Sequence, residues 1–190
     1  KNDVEIYCLI TGVGQMQTAF HLGQTLARLP KFDLAINAGI AGAFDRSLAL
    51  GEVVHIVSET LGDLGIEEAD GRFVDLCELE LLAGNQFPFS QNRLINETAQ
   101  NATFLKTVHG LTVNRVHGFE ASITKIEQKY DCQVESMEGA AFFYACLLSE
   151  TPFFEIRAIS NYVEPRNRAN WKIALAIENL NKVLMEMIDG

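Results

Sequence analysis

Long apolar runs are missing from this chain: none approaches the roughly 18–20 residues needed to cross a membrane as a helix. No positively charged leader with an apolar core and a small-residue cleavage site is visible either. Basic residues are in deficit, with Lys and Arg numbering 15 against 25 Asp and Glu, a net charge of −10. That balance argues against nucleic acid or an anionic membrane as the main partner, although local arginines can still receive a small anion. The four cysteines, Cys8, Cys77, Cys132 and Cys146, are scattered, with no Cys-x-x-Cys pair. They read as free thiols of a reducing cytosol, and the chain as a cytoplasmic protein. The four histidines, His21, His55, His109 and His117, show no His-x-x-x-His spacing. No metal site is therefore expected, and no cofactor. Neither a Gly-x-Ser-x-Gly elbow nor a glycine-rich loop ending in Gly-Lys-Ser/Thr occurs, so no acyl-transfer triad or P-loop can be argued.

What remains is a soluble composition, 48% hydrophobic and 21% charged over 190 residues, enough for one domain (1–190) with a sizeable core. Strand and helix patterns alternate. Val4 to Ile10 reads as a buried strand, turning through Thr11-Gly12-Val13-Gly14 into a helix that ends at Pro30. Asp33 to Asn37 is a short strand breaking into the glycine-rich turn 38–43. Further strands are expected at Val53 to Val57, Gly110 to Val116, Gln133 to Glu135 and Phe153 to Ser160. Helices are expected at Ser122 to Tyr130, Glu138 to Glu150 and Arg168 to Ile188. Residues 60–103 read as a long excursion with little regular structure. Alternation of this kind predicts an α/β fold around a mixed or parallel sheet.

Four segments carry candidate chemistry. Gly12-Val13-Gly14 precedes a helix and could cradle an anion. A dinucleotide fingerprint would want glycine at Gln17 and an acid ending the next strand, and has neither. In Asn37-Ala-Gly39-Ile40-Ala-Gly42, small residues at a strand end let a ligand approach the backbone; a close helix–strand contact explains them as well. Met137-Glu138 opens a helix, where a carboxylate is stabilised by the dipole whether or not it binds anything. Functionally, Glu138 would accept from two vicinal ribose hydroxyls while Met137 packs on the sugar face. Phe119 could stack on a purine and Glu120 accept its N1–H; a core Phe beside a surface Glu is the bland alternative. Asn161 closes the apolar run Arg157-Ala-Ile-Ser-Asn161.

Together, Thr11-Gly-Val-Gly14, Asn37-Ala-Gly-Ile-Ala-Gly42, Val134-Glu-Ser-Met-Glu-Gly-Ala140 and Arg157-Ala-Ile-Ser-Asn161 resemble the nucleoside phosphorylase and nucleosidase superfamily, and within it the futalosine hydrolases. The resemblance spans nearly the whole chain. It implies a three-layer α/β/α sandwich around a mixed sheet, usually a homo-oligomer (a dimer or larger), with a purine nucleoside as small-molecule partner. It also implies N-glycosidic hydrolysis of a 6-oxopurine nucleoside such as futalosine, a step of menaquinone biosynthesis that releases hypoxanthine. In similar enzymes Glu138 would hold the ribose, Met137 the sugar face, and Asn161 would donate to purine N7 or O6 where adenine-releasing members carry Asp. Ile40 stands where phosphate-using relatives carry Ser, which favours water as nucleophile. The water-activating glutamate of such enzymes follows a first strand that matches nothing here. That strand and the general base are expected upstream of Lys1. Arg115, Arg166 and Arg168 are candidates for the carboxylate of the futalosine 5′ substituent. Three alternatives stay open: a phosphorylase, an adenine-releasing nucleosidase, and a non-catalytic nucleoside-binding protein.

Overall fold

The computed structural model describes residues 4–29, 31–97 and 104–189. Strand β2 (Val53–Leu61) is buried from Val53 through Thr60 because it has neighbours on both edges. Its partners are β6 (Arg93–Ile95), β7 (Lys106–Thr112) and β9 (Phe153–Tyr162). The remaining strands of this sheet are β1 (Ala35–Ala43), β5 (Phe89–Ser90) and β8 (Val134–Ser136), in the order β5-β6-β2-β7-β8-β1-β9. Parallel pairs (β1 with β9, β2 with β7, β7 with β8) alternate with antiparallel ones (β1 with β8, β2 with β9), so the sheet is mixed. Because β9 pairs with both β1 and β2, the sheet curls back on itself.

Helices cover it on two sides. Helix α3 (Gly139–Leu148) is apolar throughout and buries Gly139 to Phe143 and Cys146, leaving Tyr144 and Leu148 exposed. Its Phe142 and Phe143 meet Phe153 of β9 edge to face, with ring centroids 5.5 and 4.7 Å apart. Helix α1 (Gln15–Arg28) adds Leu22 to the same core. On the other side, α4 (Ile173–Asp189) packs Ala176 and Leu180 against Val53, Ile156 and Ala158. Helix α2 (Glu120–Lys129) buries only Ile123.

Several expectations change. Residues 4–10 form no strand: they are exposed, Ile10 at 93%, and join no ladder among the described residues, although the Tyr7 ring meets Phe32 edge to face. Apolar content alone cannot make a strand that lacks a ladder partner. The glycine-rich segment 38–43 is not a turn; it continues β1, because β9 and β8 hydrogen-bond along its flanks. The strand predicted at 110–116 lies four residues earlier, at β7. Helix α4 starts later than predicted, after a short 3-10 turn at Arg168–Asn170. The excursion is more regular than predicted. It holds the hairpin β3 (Gly65–Glu67) with β4 (Phe73–Asp75), and β5 and β6, which extend the main sheet. Residues 98–103 of it lie outside the described residues.

Candidate active site

Strand β1 is the platform of the site. At Gly39, paired with Arg157 of β9, a Cβ would stand 1.9 Å from Arg157 Nη1. Glycine therefore makes the room in which the guanidinium lies against the strand. Arg157 is 3% exposed and its Nε donates to Glu155 Oε1 at 2.8 Å. Its Nη2 is 3.8 Å from Glu138 Oε2 and makes no hydrogen bond to the described residues. Glu138 is the N-cap of α3, and its other oxygen accepts the backbone N–H of Gly14, the N-cap of α1, at 3.0 Å. The N–H expected to cradle an anion at Gly12–Gly14 thus takes this chain's own carboxylate. Glu138 sits at two positive helix ends with a guanidinium beside it.

Beneath Glu138 lie two more buried carboxylates. Glu59 Oε2 accepts from Thr112 Oγ1 at 2.6 Å, and that hydroxyl accepts the N–H of Ala140 at 2.7 Å. A Cβ on Gly110 or Gly139 would come within 2.2 Å of Glu59 Oε1, so both glycines clear space for it. Burial, and then the charge of Glu155, hold the Glu59 carboxyl well above its ordinary range. Burial also raises Glu155, with Arg157 opposing. Three carboxylates around one guanidinium cannot all ionise cheaply. Glu59 and Glu155 are both fully buried, and the upward push is the stronger on Glu59.

The second half of the site lies three residues along β1, about 10 Å at the rise of an extended strand. There the pairing runs Ala41 to Ile159 and then Gly42 to Asn161, skipping Ser160. This bulge re-aims Asn161. A Cβ on Gly42 would be 3.2 Å from Asn161 Nδ2 and 3.6 Å from Glu135 Cγ. Asn161 Nδ2 donates to the carbonyl of Tyr162 at 2.9 Å, and its Oδ1 lies 2.8 Å from Ser160 Oγ. The carboxamide is therefore held in one orientation.

Of the residues expected from sequence, Gly39, Gly42 and Asn161 lie on this strand pair, and Glu138, at the start of α3 with half-buried Met137 before it, meets the pair at Arg157. Others go elsewhere. Ile40 packs into the core cluster under α4, which explains its apolar character without reference to phosphate. Phe119 is 71% exposed as the N-cap of α2, and Glu120, in the first turn, is exposed too. Their loop is pinned by the N–H of Arg166 to the Gly118 carbonyl at 3.1 Å, which leaves both side chains outside. The residue turned inward is His117, in contact with Glu135. Arg115, Arg166 and Arg168 are exposed, the guanidinium of Arg166 lying 5.3 Å over the Trp171 ring. Two cavities lie apart from the cluster. One, of about 250 Å³, is lined by Asp75, Lys129 and Tyr130. The other is an apolar groove of about 810 Å³ between α1 and α3.

Sequence reasoning missed Arg157, Glu155 and Glu59. Their signal was present: charged residues standing inside otherwise apolar strand runs, where burial forces them to pair.

A family profile described as the phosphorylase superfamily matches residues 1–189. The futalosine hydrolase of Thermus thermophilus is 32% identical over 95% of this chain and 80% of its own length. A 5′-methylthioadenosine/S-adenosylhomocysteine nucleosidase of Maridesulfovibrio salexigens is 30% identical over 85% of this chain and 70% of its own length. Among solved structures, the Colwellia psychrerythraea 5′-methylthioadenosine/S-adenosylhomocysteine nucleosidase, in complex with adenine, aligns with a TM-score of 0.74 at 22% identity, covering 94% of this chain and 75% of that one. Helicobacter pylori futalosine hydrolase aligns with a TM-score of 0.73 at 14% identity, covering 94% and 77%; both likenesses speak to the fold. From β1 and its glycines to the carboxylate at the start of α3, this chain belongs to the phosphorylase superfamily.

Proposed function

We infer that the protein is an N-glycosyl hydrolase that cleaves a 6-oxopurine nucleoside, with futalosine as the substrate that its 32% identical relatives favour. The observation that carries this reading is the pair of stations along β1. Glu138, 3.8 Å from Arg157, would accept the vicinal ribose hydroxyls. Asn161, paired with Gly42, would donate to the purine. As the glycosidic bond breaks, its electron pair goes to the base and positive charge grows on the ribose. Glu138 favours that cation, and the Asn161 amide favours the departing base, both more strongly as charge develops. Water then adds hydroxide to C1′, and its other proton ends on the purine. Met137 packs on the sugar. The small residues Gly39 and Gly42 let the substrate reach the strand. A homo-oligomer fits the apolar residues that α1 leaves exposed, Met16 at 81% and Phe20 at 62%. The four free thiols fit a reducing cytosol.

The experiment is product analysis with futalosine, inosine and 5′-methylthioadenosine, with and without phosphate. Hypoxanthine and a free ribosyl product in phosphate-free buffer are expected. A ribosyl 1-phosphate would make the protein a phosphorylase. Preferential release of adenine would favour the second reading, which the 30% identical 5′-methylthioadenosine/S-adenosylhomocysteine nucleosidase supports.

A further inference from the structure

We propose that His117, held by Glu135, is a specificity-determining residue of this site, its Nε2 accepting the N1–H of a 6-oxopurine. The proposal rests on the nucleosidase reading and names the group that reads the far edge of the base.

Strand β1 is flanked at one residue by two polar side chains. Gly42 pairs with Glu135 of β8 on one side and with Asn161 of β9 on the other. Atoms of both side chains lie within 3.6 Å of the place a Gly42 Cβ would occupy. Any base that Asn161 holds at Gly42 therefore lies close to Glu135 and to what Glu135 carries. That is His117, gripped twice: its backbone N–H donates to Glu135 Oε1 at 3.0 Å, and its Nδ1 lies 2.7 Å from Oε2. The histidine side chain is 9% exposed and the glutamate 3%, and Phe44, just past the end of β1, flanks the ring at 6.5 Å between centroids.

This grip sets the chemistry of the free nitrogen. A carboxylate only accepts, so Nδ1 is the donor toward Glu135, and whenever the ring carries a single proton Nε2 presents a lone pair. Nε2 makes no hydrogen bond to the described residues. A 6-oxopurine offers N1–H to that lone pair. A 6-aminopurine offers a second lone pair instead, which leaves two acceptors facing each other. Asn161 at N7 and His117 at N1 would then bracket the base from both of its edges. Glu120, which the sequence had suggested for the N1–H, is exposed and leaves that role open.

The test compares His117→Asn and His117→Gln with the unaltered protein on inosine and adenosine. The Asn amide can still donate to Glu135 but has no atom where Nε2 stood; the Gln amide oxygen can replace it as an acceptor. We expect His117→Asn to lower the inosine-to-adenosine ratio of kcat/KM by roughly tenfold or more, the scale of one lost buried pairing. His117→Gln should recover part of the ratio. In parallel, the ¹⁵N resonance of His117 Nε2 should move on addition of hypoxanthine and not of adenine. An unaltered protein that cleaves no nucleoside but shows this shift would sink the nucleosidase reading and leave the base contact standing. Turnover with an unmoved ratio in His117→Asn and an unmoved Nε2 resonance would overturn the proposal and leave the nucleosidase reading intact. Neither turnover nor shift overturns both.

Discussion

Replacing Arg157 by methionine tests the electrostatic account of the site where it is most exposed to failure. Glu155 is fully buried, and its ion pair with Arg157 Nε spans 2.8 Å. Methionine fills much of the side-chain volume but leaves Glu155 without a counter-charge, beside Glu59, also fully buried. Breaking a buried pair from one side costs about 3–5 kcal/mol, because the surviving charge stays desolvated. At about 2–4 °C per kcal/mol for a chain of this size, Arg157→Met should melt roughly 6–20 °C lower. The double variant Arg157→Met with Glu155→Met removes both charges and should regain most of that loss, since a whole buried pair is nearly neutral against apolar packing. Urea unfolding of the unaltered protein, Arg157→Met, Glu155→Met and the double variant gives the coupling directly. The pH dependence has a definite sign. Arg157 is what opposes the upward push of burial on Glu155, so its removal raises that carboxyl further. The unfolded chain releases this proton in the ordinary carboxylate range while the variant's native state still holds it. Both native states lose stability as pH rises above that range, but the variant goes on losing it to higher pH, so its deficit grows once pH passes the already raised native value of Glu155 in the unaltered protein. Additive losses in the double variant, or a single-variant loss below about 1 kcal/mol, would refute the claim that this pair is buried and interdependent.

Two further outcomes follow from the same cluster. Glu138→Gln keeps an oxygen for the Gly14 N–H but loses the charge that the proposed mechanism sets against the ribose. Its kcat/KM should fall about a hundredfold with little change in melting temperature, and an unchanged rate would remove Glu138 from the chemistry. Glu59 keeps its proton in the native state above its ordinary value of 4.5, so the unfolded state ionises first and stability declines as pH rises through that window. Glu59→Gln, which cannot ionise, should flatten this part of the urea-midpoint profile, and a profile identical to that of the unaltered protein would place the proton elsewhere.

The fold was legible where packing follows the hydrophobic pattern. The apolar stretch after Glu138 announces a helix, and α3 is one, with Ala140 to Phe143 and Cys146 buried. The apolar run ending at Asn161 is β9, which joins two flanks of the sheet. Local pattern misled where pairing decides. Glycines at 39 and 42 suggest a turn when read along the chain, yet with strands on both sides they become contact points in β1. Residues 4–10 carry the composition of a strand without the partner that would make them one. Short strands such as β5 and β6 add so few alternating positions that no periodicity can reveal them.

The site was legible in its ends and not in its middle, for an electrostatic reason. Glu138 and Asn161 sit at a helix start and a strand end, where loops and open termini make function visible. Arg157, Glu155 and Glu59 lie within strands, and a single charged letter there reads as an interruption of the core. Their meaning appears only across the sheet, when Gly39, Gly110 and Gly139 each prove to face one of these charged side chains. Each of those glycines clears space for a charge that burial would otherwise forbid. The same logic separates the histidines. His109 pairs with Ser58 at 2.7 Å beside a strand bulge, which satisfies it within the wall of the sheet. His117 pairs with a carboxylate that itself meets Gly42 opposite Asn161, which is why the proposal gives its second nitrogen to the base. If the ribose station and the base station are read by Glu138 and by Asn161 with His117, base choice and bond cleavage are separable properties. A change at 117 should then move selectivity while leaving the rate on the preferred base far less affected than a change at 138.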